Sequence, residues 1–310
     1  MSVVKLRIEP LREPTAEAPA NAVAATPVSP RRASAPNTRA PIGIEKPDYV
    51  RAQAPEWLAR GFAMALGMAA FIALWAVVAR WGGELPMPSA TWDTATKLFA
   101  DPFYNNGPND QGIGWNVLNS LGRVAIGFGA AALVGIPLGF LIGRFRFLSD
   151  MAAPIIGLLK PVSPLAWLPI GLLVFKAADP AAIYVIFICS VWPLMINTAV
   201  GVRQVPHDYL NVARVLKLSE WKVFTKILFP AVLPHVITGV RLSIGIAWLV
   251  IVAAEMLTGG VGIGFWVWDE WNNLNVQHII IAIFVVGIVG LALEQGLILL
   301  ANRFSYDGKS

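Results

Sequence analysis

Cysteine is almost missing from this chain of 310 residues. Cys189 stands alone inside an apolar run, so neither a disulfide framework nor a thiolate metal site can be built. The three histidines, His207, His235 and His278, fall on separate segments and do not make a metal set. Charge is scarce as well, at 14%. No Gly-x-x-x-x-Gly-Lys-Ser/Thr run is present, so the chain lacks that kind of phosphate cradle. No Ser/His/Asp or paired-carboxylate constellation can be assembled, which argues against an enzyme and leaves no cofactor to hold.

What is abundant is apolar surface, 56% of the residues, far more than a soluble domain of this length needs. The net charge of +5 does not mark a nucleic-acid binder, because the cations lie between apolar runs and form no single stripe with stacking aromatics. They read as topology signals. Residues 1–56, rich in Ala and Pro with dispersed Arg, have no hydrophobic periodicity and are expected to form a disordered tail.

Residues 57–310 carry six segments long enough to cross a bilayer, near 59–80, 116–143, 148–175, 180–202, 237–257 and 278–302. The expected fold is therefore an all-α membrane protein with six transmembrane helices. Alternating the connections places the tail, Arg144, Arg146, the charged segment from Arg203 to Arg241, Arg303 and Lys309 on one side. By the positive-inside rule both termini are then expected to be cytoplasmic, in a multi-pass membrane protein. Trp81, Trp92, Trp115, Trp266, Trp268 and Trp271 lie near the opposite boundaries and read as interfacial anchors. On that side Ser89 is placed to cap a short helix running towards Phe99.

Within the second span, Gly127, Ala131, Gly135, Gly139 and Gly143 recur every four residues, a row that lets a neighbouring helix approach closely. The row drifts about 40° per step, so only adjacent members are expected to share a face. Pro154, Pro161, Pro164 and Pro169 predict a break in the third span around Lys160 to Pro164. Charges at membrane depth are costly and point to function. Arg123 and Lys160 are accordingly candidates for an anion path, although packing accounts for both more readily: proline-freed carbonyls can satisfy Lys160, and Arg123 can pair with Glu255 or Glu294 or snorkel outward. Glu255, Gly259 and Gly260, at the end of the fifth span, are candidates for a flexible outer gate. No strand precedes these glycines, so they are not a dinucleotide site.

The strongest local signal is the polar segment 203–236, expected to hold two short helices, His207 to Leu218 and Ser219 to Phe229, the second stopped by Pro230 and Pro234. In the first, Tyr209, Val212, Ala213 and Leu216 make an apolar face, while Asn211, Arg214 and Lys217 recur on another. Ser219 and Glu220 suit the start of the second. Such a pair fits either a docking knob or an interfacial helix.

Asn211-Val212-Ala213, then Lys217, then Ile227-Leu228-Phe229-Pro230 resembles the cytoplasmic loop motif of ABC-importer permeases: Glu-Ala-Ala, three residues, Gly, nine residues, Ile-x-Leu-Pro. Ala213, Ile227 and Pro230 match it, whereas Asn211, Val212, Lys217 and Phe229 depart. The resemblance runs from about Leu58 to the C-terminus through Leu85-Pro86-Met87-Pro88-Ser89, Asn119-Ser120-Leu121-Gly122-Arg123, Gly135-Ile136-Pro137-Leu138-Gly139 and Pro161 to Pro169. Leu210 to Leu218 and Ala254 to Phe265, with Trp268-Asp269 and Trp271-Asn272, resemble the nitrate branch of the nitrate, sulfonate, taurine and bicarbonate permeases.

The resemblance implies a type I importer permease that works as a homodimer in the lipid bilayer. Its partners would be two cytoplasmic ATP-binding-cassette subunits, which bring ATP and Mg, and an external substrate-binding protein. The loop residues Asn211, Ala213, Arg214, Lys217, Glu220 and Pro230 would couple to the ATPase. The implied cargo is a small inorganic anion, nitrate (nitrite) first, with bicarbonate, cyanate or sulfonate/taurine as alternatives. An ATP-independent secondary transporter or channel is the reading from another class, and it would call for inverted repeats, which the sequence does not display.

Overall fold

The computed structural model describes residues 56–108 and 110–304; the expected tail lies outside them. The element order is α1 (Glu56–Trp81), α2 (Pro88–Leu98), α3 (Ile113–Arg144), α4 (Arg146–Leu159), α5 (Pro164–Phe175), α6 (Ala178–Gln204), α7 (His207–Val215), α8 (Glu220–Val223), a π turn (Phe224–Leu228), α9 (Phe229–Thr258), α10 (Ile263–Asn272) and α11 (Val276–Phe304). Among the described residues the only β pairing is an isolated bridge between Asn105 and Gln111. Five helices are long and apolar enough to cross a bilayer, and α4 with α5 makes a sixth span bent by 98°. The bend falls at Lys160–Ser163, where Pro161 and Pro164 withdraw two backbone donors.

At the centre α3 and α6 run parallel. A Cβ added at Gly139 would stand 2.6 Å from the Thr198 Cβ, and one at Gly143 2.6 Å from the Val202 Cβ; Gly127 and Gly135 are similarly filled by Ile186 and by Val191 with Leu194. Ala131, between them, is fully buried. The whole small-residue row therefore faces one helix, not two members at a time as expected. The reason is that α6 answers with its own four-residue row, Ser190, Leu194, Thr198 and Val202, so the drift on one helix is matched by the drift on the other. Helix α9 runs antiparallel to α6: Gly201 meets Val232 and His235, Gly239 meets Asn197 and Pro193, and the Ser243 hydroxyl donates to the Ser190 carbonyl at 2.8 Å.

Three sequence expectations are corrected. Pro230 and Pro234 do not stop a helix, because Glu220 to Thr258 is one continuous rod. Pro230 sits at the start of α9, and the wider π turn before it relaxes the hydrogen-bond register where prolines would otherwise break it. Ser89 is not a cap: Met87 holds the cap position, two residues earlier, and Pro88 stands in the first turn, where its missing N–H costs nothing. Trp266 is no interfacial anchor, being buried and stacked on His278 at a ring separation of 5.6 Å, whereas Trp81, Trp92, Trp115, Trp268 and Trp271 are exposed.

Candidate functional site

Two ends of the bundle carry the polar chemistry. At the end where α3 begins and α9 stops, Arg123 reaches across three elements. Its Nε and Nη2 meet Asp179 Oδ1 at 3.0 and 2.8 Å, and its Nη1 donates to Glu255 Oε1 at 2.6 Å and to the Val261 carbonyl at 2.7 Å. The Arg123 side chain is 12% exposed, Glu255 1% and Asp179 66%. A charge as buried as Glu255 is tolerable only with a close counter-charge and filled lone pairs. Both conditions are met: Oε2 accepts from the Ser120 hydroxyl at 2.8 Å and from the Gly264 N–H at 3.0 Å. Ser120 also lies 3.0 Å from the Asn116 carbonyl, but it has one proton, and the carboxylate is the stronger acceptor.

The glycine-rich turn is tied to the same cluster. Asn116 Oδ1 accepts from the Gly262 N–H at 2.9 Å and Ser120 Oγ from the Ile263 N–H at 3.0 Å. The first N–H groups of α10, which no helical carbonyl can serve, thus find acceptors on α3 and on Glu255. A side chain at Gly262 would fall on the Glu255 carboxylate, and one at Gly264 on the Val252 carbonyl. That closeness explains why glycine stands at both. Of the candidates, Arg123 and Glu255 are brought together. Gly259 and Gly260, both with positive φ, lead from Glu255 into a hydrogen-bonded turn, where a flexible loop was expected. Of the two partners foreseen for Arg123, Glu255 is there and Glu294 is not; Asp179 was not foreseen.

Lys160 is exposed at the α4 to α5 bend, and no hydrogen bond or ion pair joins it to Arg123.

At the opposite end, α7 is held by one small side chain. Ala213 is buried, while Asn211, Arg214, Lys217, Glu220 and Pro230 are exposed. Tyr209, Val212, Leu216 and Trp221 are exposed too, so most of the apolar face read from the sequence is not used inside the chain. Behind α7, Phe140 lies against Phe224 and Phe229 with ring centroids 5.1 and 6.2 Å apart, fastening the π turn to α3. The chain leaves α7 through a Schellman turn: the Leu218 N–H donates to the Ala213 carbonyl and the Lys217 N–H to that of Arg214, both at 3.0 Å. This turn requires a left-handed residue, and Lys217 supplies it with φ 48°. Here the loop motif has Gly, so Lys217 bears a conformational cost of about 1 kcal/mol that glycine would not.

One charged pair escaped the sequence reading. In the sequence Arg241 reads as the last charge of the cytoplasmic segment, although it also falls just inside the expected span 237–257. In the continuous rod it sits near the middle. Its Nε and Nη2 both approach Glu294 Oε1 of α11 at 3.1 Å. Spacing could have found it, since Arg241 is embedded in an apolar run from Val236 to Val252 broken only by Thr238 and Ser243.

Residues 135–304 match the family of binding-protein-dependent transport system inner membrane components. The chain belongs to that family. This permease is 50% identical to the nitrate import permease protein NrtB of Synechocystis over 74% of its own length and 84% of that protein's. It is 48% identical to the bicarbonate transport system permease protein CmpB of the same organism, with the same coverage. Against NrtB of Leptolyngbya laminosa it is 44% identical over 84% of the permease and 93% of the relative. A crystal structure of an amino acid ABC transporter superposes on 69% of the permease and 97% of that chain with a TM-score of 0.53 at 14% identity, a likeness of fold. The six-span reading and the place in the inner membrane follow from the family and from the apolar helices together.

Proposed function

We propose that this permease is the membrane-spanning subunit of an importer for a small planar oxyanion, nitrate first. Both termini and α7 face the cytoplasm. Two copies form the path, each seats its α7 to π-turn region on an ATP-binding-cassette subunit, and an external binding protein delivers the anion. ATP and Mg are bound and hydrolysed in the partner subunits. The observation that carries this reading is the 50% identity to a nitrate import permease. Supporting it is the loop, where Tyr209, Val212, Leu216 and Trp221 present apolar side chains on a polar segment buttressed by Phe140. Such a surface fits helix-in-groove docking better than a solvated loop.

The Arg123 cluster is the outer gate, closed in this state. Asp179 on α6, Glu255 on α9 and the turn through Gly259 and Gly260 converge on one guanidinium, so parting these elements breaks the cluster as a unit. Arg123 then becomes available to an anion only when the gate opens, and Lys160 contributes positive potential from the bend. ATP-driven closure of the partner subunits would supply the differential contacts that shift the two states.

Bicarbonate is the second reading, favoured by the relative at 48% identity. The test is reconstitution of the permease with its ATPase and binding protein in proteoliposomes, following labelled nitrate and bicarbonate in competition. ATP-dependent nitrate uptake, inhibited little by bicarbonate, is expected. Preferred bicarbonate uptake would reassign the cargo, and uptake by the permease alone without ATP would overturn the importer reading.

A further inference from the structure

Arg241 and Glu294 lie deep in the bundle. Ser243, two residues beyond Arg241, hydrogen-bonds to Ser190, which stands about 20 Å from either end of α6 at 1.5 Å per residue. Yet the two side chains are 48% and 50% exposed. A charged pair at that depth is not left against lipid tails; it faces protein or water. The surface around it is a groove of about 630 Å³ between α9 and α11, whose walls are mostly apolar, Leu242, Ile246, Leu249 and Leu293 among them, with Arg241, Glu294 and Thr238 as its polar side chains. Gly245, in the same lining, has open space where a side chain would be, so the groove is not filled by the chain itself.

The guanidinium is only half used. Glu294 occupies the edge formed by Nε and Nη2, and among the described residues Nη1 has no acceptor. An arginine fixed along one edge offers the other as a directed pair of donors, the geometry that suits an oxyanion. The adjacent carboxylate lowers the local positive potential. A transit site needs that compromise, since binding must be strong enough to replace hydration and weak enough to release.

We infer that the Arg241–Glu294 pair is a binding station for the transported oxyanion midway along the path, with Arg241 Nη1 as the contacting group and Glu294 as its positioning residue. The station rests on the anion-importer reading above and adds to it where within the membrane the anion is recognised. The groove is then hydrated, and an anion at Arg241 shields its rim.

The test uses the reconstituted transporter. Arg241→Gln should lower ATP-dependent nitrate uptake about tenfold or more, the loss of one charge-assisted hydrogen bond, with Arg241→Lys recovering part of it. Glu294→Gln should move half-saturation to lower nitrate and reduce turnover, because the unopposed guanidinium holds the anion longer. Gly245→Cys should react with a small water-soluble thiol reagent, and nitrate should slow the reaction; the native Cys189 is buried. Unchanged nitrate uptake by Arg241→Gln, or a Gly245→Cys thiol that no aqueous reagent reaches, would overturn the station. Wild-type uptake that is absent for every oxyanion would instead overturn the importer reading on which it rests.

Discussion

Arg123 and Arg241 are both arginines inside membrane-spanning helices, each facing a glutamate on another helix, and their guanidinium groups are satisfied to very different degrees. Arg123 is surrounded: two carboxylates and a backbone carbonyl meet its Nε, Nη1 and Nη2, and its principal partner is 1% exposed. Arg241 meets one carboxylate along one edge, and half of its side chain is open. A saturated guanidinium has donors to offer only after its partners part, whereas a half-satisfied one has them to offer in this state. Burial and partner count, not residue type or depth, separate the two.

Removing Arg123 should cost the most stability. Arg123→Gln should destabilise the permease by about 3–5 kcal/mol, because Glu255 is left as an uncompensated buried charge; thermal unfolding in detergent measures it. A double change of Arg123 and Glu255 to Met should recover much of that loss, since neither charge is stranded. Ser120→Ala comes next, at about 1–3 kcal/mol, as it leaves both the Ile263 N–H and one Glu255 oxygen short of a partner.

Away from both arginines, Lys217→Gly should raise stability by about 1 kcal/mol, because the left-handed turn no longer strains a side chain. Arg241→Gln should change stability least, by less than about 1 kcal/mol, as expected of a half-exposed pair, while its uptake still falls about tenfold or more. If Arg241→Gln unfolds the permease as severely as Arg123→Gln does, the distinction drawn between the two sites is lost.

Much of this was legible in the residues. The bend at Lys160–Ser163 follows from prolines that remove donors wherever they are placed in a helix. The close approach of α3 follows from a row of small side chains, although the matching row on α6 became visible only when the two were packed. Glu255 could be named beforehand as one of two partners for Arg123, because a buried cation must find an anion. Which one it finds depends on which helices adjoin. Asp179, at the start of α6, is a plain surface carboxylate until that helix brings it beside α3.

The misreading of Arg241 has a physical cause as well. Prolines end isolated helices, but a π turn and packing against α6 let α9 continue through Pro230 and Pro234, so Arg241, expected near the cytoplasmic end of a span starting at 237, sits near the middle of the rod.

The membrane, the number of spans, the place of the break and the polar loop with its resemblance to importer permeases can all be read from the residues alone. These depend on local properties, hydrophobic length, missing donors and residue spacing, that do not change with the neighbours. Only the tertiary structure decided which arginine is locked and which is open, because that depends on acceptors contributed by distant helices. A guanidinium has the same five N–H groups at either position, and the packing around it sets how many are already taken.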